Sequence, residues 1–212
     1  MANFFSWILP RERKLFELLS EQSKMLNQAM NELSTLMEEL HTLDKNGRKS
    51  RCNSIKSVWE KIESTKESIM DKISRKKTLE SDEIKELSAV FDNAGELINS
   101  FSSRIMILGI ERIDPHLIKM TNLVSESLGH IEKLMFNLRK PEEVENHYSK
   151  INKIKEKADE SFNEAMSELF HFYKNPIDVL KYKELYDLLN QLSGRCKIAG
   201  QLVKYLSVKH FS

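Results

Sequence analysis

The sequence predicts an all-α chain, and three observations carry that prediction. Apolar residues recur at three- and four-residue steps through most of the length. Only six Gly and four Pro occur in 212 residues, so few breaks separate the elements. Leu, Lys, Glu, Met and Ser are abundant, and no stretch alternates apolar and polar residues as a half-buried strand does.

The first helix is predicted from Pro10 to about Leu43, with Leu15, Leu18, Leu19, Leu26, Met30, Leu33, Met37 and Leu40 on its inward stripe. Asp44-Lys45-Asn46-Gly47 reads as the following turn. The second helix is predicted from about Arg51 to Ser74, burying Ile55, Val58, Ile62, Thr65, Ile69 and Ile73. A break is expected between Lys76 and Glu80. Ser81-Asp82-Glu83 then opens the third helix, with a small polar cap and acids at the positive end of the helix dipole. Its inward set is Ile84, Leu87, Phe91, Ala94, Ile98, Phe101 and Ile105. Asp114-Pro115 closes the third helix and opens the fourth, and Pro141-Glu142-Glu143 and Asn175-Pro176 mark the next two starts, with proline placed in the first turn where its missing N–H costs nothing. The last helix is predicted to run to about Val208.

An internal repeat organises these six helices. Glu60-Lys61-Ile62-Glu63-Ser64-Thr65 aligns with Glu156-Lys157-Ala158-Asp159-Glu160-Ser161 at an offset of about 96. Lys85-Glu86-Leu87 aligns with Lys183-Glu184-Leu185, and Phe91-Asp92-Asn93 with Leu189-Asn190-Gln191, at nearly the same offset. The expected architecture is therefore two tandem three-helix bundles related by internal duplication. They span 1–113, including an N-terminal aromatic arm, and 114–212, within one continuous structural domain.

Composition narrows the function. Thirty-three basic and thirty-two acidic residues leave a net charge of +1, which argues against a general electrostatic grip on nucleic acid. Cys52 and Cys196 sit in no CxxC or Cys/His cluster, and the opening residues lack a secretory signal's order, so a reduced cytoplasmic compartment is expected. No run approaches the length of a membrane span. There is no glycine-rich phosphate loop, GxSxG or HExxH, and the histidines His41, His116, His130, His147, His171 and His210 show no paired spacing. The expectation is a non-enzymatic protein. Phe4, Phe5, Trp7, Ile8 and Leu9, followed by Arg11, Arg13 and Lys14, suit either a membrane surface or a cover for one bundle end. The long amphipathic helices leave a homodimer open.

Several segments, in order, resemble the PhoU-like family of phosphate-transport regulators. Phe4-Phe5, Leu9-Pro10-Arg11-Glu12 and Phe16-Glu17-Leu18-Leu19 are similar to the family's opening. Asp82-Glu83-Ile84 with Glu86-Leu87 resembles its third helix, and Asn175-Pro176-Ile177-Asp178-Val179 with Lys183-Glu184-Leu185-Tyr186 its sixth. Val208-Lys209-His210 resembles its end. The resemblance implies a cytoplasmic bacterial or archaeal protein, peripheral to the inner membrane if its arm docks there. Its implied partner is a phosphate permease or a phosphate-sensing protein.

The resemblance also implies a metal-binding alternative, since some family members hold metal clusters on an E/D-x-x-x-D pattern. Carboxylates at i and i+4 share a helix face and can chelate a divalent or iron-type metal ion. In this chain the pattern falls on Trp59 and Glu63, on Asp92 and Glu96, on Lys155 and Asp159, and on Asn190 and Gly194. The candidate metal ligands are therefore Glu63, Asp92, Glu96 and Asp159. Trp59, Lys155, Asn190 and Gly194 degrade the motif, and a lysine beside Asp159 could neutralise it without a metal.

Overall fold

A computed structural model describes residues 10–75 and 81–211, with side chains described over 12–75 and 81–209. Six helices occur in chain order: α1 (Pro10–Glu39), α2 (Lys45–Arg75), α3 (Ser81–Ile107), α4 (Pro115–Phe136), α5 (Pro141–Phe172) and α6 (Pro176–Phe211). No strand occurs among the described residues. The expected break at Lys76–Glu80 and the N-terminal aromatic arm lie outside the described residues.

The inward stripes expected of the first three helices are buried, except that Thr65 is only half-buried. Their side chains join one continuous core with those of the last three, including Leu117, Val124, Leu128, Ile131, Ile151, Leu189 and Val203. Each such side chain, fully buried, contributes roughly 1.5–3 kcal/mol relative to exposure.

Three boundaries differ from the expected ones, the first being the end of the first helix at Glu39 rather than Leu43. The second helix starts at Lys45 rather than Arg51, because Asp44 caps it: its Oδ1 accepts from the Gly47 N–H at 2.7 Å and its carbonyl from the Arg48 N–H at 3.0 Å. The third helix ends at Ile107, well before Asp114. There Gly109 takes a left-handed φ of 60°, its N–H donates to the Met106 carbonyl, and the Ile110 N–H donates to the Ile105 carbonyl. This double bond with a buried apolar residue after the glycine is a Schellman ending.

The starts at the prolines stand where expected. Asp114 Oδ1 accepts from the Leu117 N–H at 2.9 Å and Asn175 Oδ1 from the Ile177 N–H at 3.0 Å. Proline at the following position fixes a helical φ in both helices.

Helices α1, α3, α4 and α6 form a central group in which α1 packs on α3 and α4, and α6 packs on α3 and α4. Helix α2 covers α1 and α3 from outside, and α5 covers α4 and α6. Exchanging α1 with α4, α2 with α5 and α3 with α6 maps every packed pair onto a packed pair, with α1–α4 and α3–α6 mapping onto themselves. Side chains sew the central group together. Asn27 donates to the Leu128 carbonyl and to Glu132 Oε2, joining α1 to α4. Arg104 pairs with Glu184, and Lys209 with Glu83 at 2.6 Å, joining α3 to α6.

Candidate functional site

The carboxylates proposed from the sequence as metal ligands do not converge. Asp92, on the α3 face toward α2, receives the Lys66 ammonium on Oδ2 at 2.6 Å. Glu96, one turn further along, is exposed and lies 3.5 Å from Asn93 Nδ2. Glu63 is exposed on α2. Trp59 packs its indole over the bare backbone of Gly95, where a Cβ would meet Trp59 Cδ1 at 3.2 Å and Ile62 Cδ1 at 3.1 Å. Trp59 thus takes the position of the carboxylate pattern that a second ligand would hold. In the other half, Lys155 pairs with Asp159 along α5 and donates to Asn190 Oδ1 on α6 at 3.1 Å. A side chain at Gly194 would have open space, since a Cβ there would meet nothing within 4 Å among the described residues.

Among the described residues no three His, Cys, Asp or Glu side chains are placed to hold one metal ion. The residues present do not fit a carboxylate-held metal, because the two least exposed acids of the pattern already hold ammonium groups. The lysine expected to neutralise Asp159 does so.

The structure does bring together two histidines that lack any recognisable sequence motif. His130 on α4 and His147 on α5 face each other with their Nδ1 atoms 3.0 Å apart and ring centroids 5.2 Å apart. Burial holds both below their ordinary value, aided at His130 by its partner ring and at both by Lys133 and Lys150. The signal was available: both residues lie equally far from the α4–α5 connection, and antiparallel neighbours at equal distance from a turn are level.

Neither cysteine is poised as a nucleophile. Burial pushes the Cys196 thiol up to about 12 and raises that of Cys52, the opposite of an activated thiolate. An open cleft between α1 and α2 is lined by Glu21, Met25, Ser57, Glu60, Lys61, Ser64 and Thr65.

The bundle end at the α3–α4 and α5–α6 connections is different in character. Phe172, Leu180, Ile177 and Phe170 are 76, 67, 62 and 60% exposed there, and Ile107 and Ile118 stand exposed on the adjoining helices. The backbone beneath is held firmly. Tyr173 stacks edge-on against Tyr182, whose hydroxyl donates to the Arg112 carbonyl at 2.9 Å, and the buried Tyr186 hydroxyl donates to Asp114 Oδ2 at 2.5 Å. Exposed apolar side chains near one end of a bundle suit contact with another macromolecule. No described helix is long and apolar enough to cross a membrane.

No protein-family model matches the chain. Over 136 residues it is 25% identical to the UPF0111 protein YkaA of Bacillus subtilis, a stretch covering 62% of this chain and 65% of that relative. The chain therefore matches just under two thirds of that relative's length. Solved structures match more fully. A PhoU-like protein from Shewanella oneidensis is 16% identical and superposes with a TM-score of 0.78, covering 92% of this chain and 96% of the other. A PhoU-like phosphate regulatory protein from the same bacterium gives 17% and 0.79, covering 92% and 99%. The phosphate transport system regulatory protein PhoU from Streptococcus pneumoniae gives 11% and 0.73, covering 94% and 96%. The fold is that of PhoU-like proteins.

Proposed function

We propose that this chain is a non-enzymatic regulator or accessory protein of inorganic phosphate transport, acting by contact with a phosphate permease or its signalling partner. The observation that carries this reading is a match over nearly the full length to a protein described as a phosphate transport system regulator. The exposed apolar end supplies the means. Phe170, Phe172, Ile177 and Leu180 project from the α5–α6 hairpin, while the tyrosine bonds behind them keep that hairpin fixed to the α3–α4 connection. A rigid apolar tip loses little conformational freedom on docking, which favours association. In this reading the protein is cytoplasmic and meets its partner at the inner face of the membrane. It biases or occludes that partner and carries out no chemistry on phosphate.

The test has two arms. Deleting the gene and measuring uptake of labelled phosphate in phosphate-rich and phosphate-starved cells should change uptake in at least one condition. Crosslinking in the same cells should join the protein to a permease subunit or a phosphate-sensing protein. Unchanged uptake together with no such crosslink would remove the reading.

A further inference from the structure

We infer that in each half of the bundle a lysine ammonium is the resident cation of the polar position between second and third helices, where the carboxylate pattern would otherwise set a metal. In the first half Lys66 reaches across from α2 to Asp92 on α3 at 2.6 Å. In the second half Lys155 on α5 pairs with Asp159 and reaches across to Asn190 on α6. Asp92 and Asn190 occupy equivalent places in the repeat, so both halves deliver an ammonium to the same third-helix position.

The two lysines are not themselves equivalent. In repeat register Lys155 stands where the first half has Trp59, and Phe162 stands where it has Lys66. The ammonium arrives from a different place in each half, yet it ends on the same polar position. Charge explains the pattern. Lys66 with Asp92 sums to zero, as does Lys155 with Asp159, while Glu63 and Glu96 turn to solvent. A divalent ion on Asp92 or Asp159 would sit beside a like charge and would have to expel it. In each pair one member is well shielded and the other more open: Asp92 is 15% exposed beside Lys66 at 32%, and Lys155 16% beside Asp159 at 50%, so solvent relieves that repulsion in part and more at Asp159. The lysines thereby balance the charge at both positions, although Asp92 Oδ1 is buried without a hydrogen-bond partner among the described residues, and the expected consequence is a stability that does not depend on metal supply.

The test uses the full chain, purified without chelator, and the variants Lys66→Met, Lys66→Arg, Lys155→Met, Asp92→Asn and Lys66→Met/Asp92→Asn. Wild-type protein is expected to hold no stoichiometric manganese, iron or zinc, with the same Tm in EDTA and in excess of each ion. Each Lys→Met variant should lower Tm by about 2–4 °C, the shift that accompanies losing one modest interaction in a chain of this size. Lys66→Arg should keep the wild-type Tm. The double variant should recover most of the Lys66→Met loss, because removing both charges leaves no carboxylate unpaired. Stoichiometric metal that disappears in Asp92→Asn would overturn the inference, as would a lower wild-type Tm in EDTA or Lys→Met variants of unchanged Tm. If a Lys→Met variant does not fold, the metal content and EDTA response of wild-type protein decide alone.

Discussion

His130 and His147 aim their Nδ1 atoms at each other across the α4–α5 interface, 3.0 Å apart. One ring donates and the other accepts, so at least one nitrogen must be unprotonated for the bond to exist. A doubly protonated pair would set two N–H groups and two positive charges face to face.

Stability should therefore fall with acidity. Burial is the main cause lowering both histidines below 6.5, and Lys133 and Lys150 add to it against the weaker pull of Glu126 at His130 and Glu143 at His147. A histidine whose folded value lies below its unfolded one binds fewer protons when folded. Its contribution is present above about pH 6.5 and is lost as pH falls through the lowered folded values. Tm measured from about pH 7.5 down to about pH 5.5 should drop more for wild type than for His130→Asn/His147→Asn, which cannot titrate. Equal slopes would show that the pair does not sense pH.

The buried tyrosine under the apolar end offers a sharper contrast. Tyr186 gives its hydroxyl hydrogen to Asp114, which also caps α4. Tyr186→Phe removes one hydrogen bond and leaves the cap, at a cost of about 1–2 kcal/mol. Asp114→Ala removes the cap as well and strands a buried hydroxyl, so it should cost about 2–4 kcal/mol. Urea unfolding of the two variants should give that order. The reverse would mean the cap and the tyrosine bond are not shared by one carboxylate.

Much of this fold was legible because helices advertise themselves by spacing. The stripes from Leu15 to Leu40 and from Ile84 to Ile105 have only one way to be buried together. The ends were less legible. Asp44 sits in a stretch with the composition of a turn, but an aspartate just before a polar stretch can equally cap a helix, and here it does. Asp114-Pro115 is the louder stop in the sequence, yet the helix ends just ahead of Gly109, where Leu-Gly-Ile after a long stripe has the order of a Schellman ending. The lysine on Asp159 could be foreseen because i and i+4 neighbours meet on one helix. Lys66 on Asp92 could not, since which of several long side chains crosses an interface depends on rotamers and register together.

The glycines give predictions of opposite sign. Gly109 has open space around it but a φ of 60°, where an L side chain is strained. Gly109→Ala should destabilise by about 1–2 kcal/mol. Gly129 and Gly194 lie inside α4 and α6 with equally open surroundings. Gly129→Ala and Gly194→Ala should each stabilise by about 0.5–1 kcal/mol, since alanine suits a helix interior and has a less disordered unfolded state. Thermal unfolding of the three variants measures this. Destabilisation by Gly129→Ala would point to a neighbour pressing on that face.

The exposed end separates a binding role from a structural one. Phe172 and Leu180 stand mostly in solvent, so Phe172→Asp and Leu180→Asp remove almost no buried area. Stability should change by no more than about 0.5 kcal/mol. If the hairpin tip docks on a transport protein, the same substitutions bury a charge at the contact, where an unpaired carboxylate costs several kcal/mol. Crosslinking to the partner should then be lost while Tm is retained, and phosphate uptake should follow the deletion strain. Phe91→Ala, in the core, gives the opposite pattern, lowering stability by about 3–5 kcal/mol wherever the partner binds. Tip variants that keep both the crosslink and normal uptake would move the contact to another face of the bundle, since the apolar tip would then be dispensable for docking.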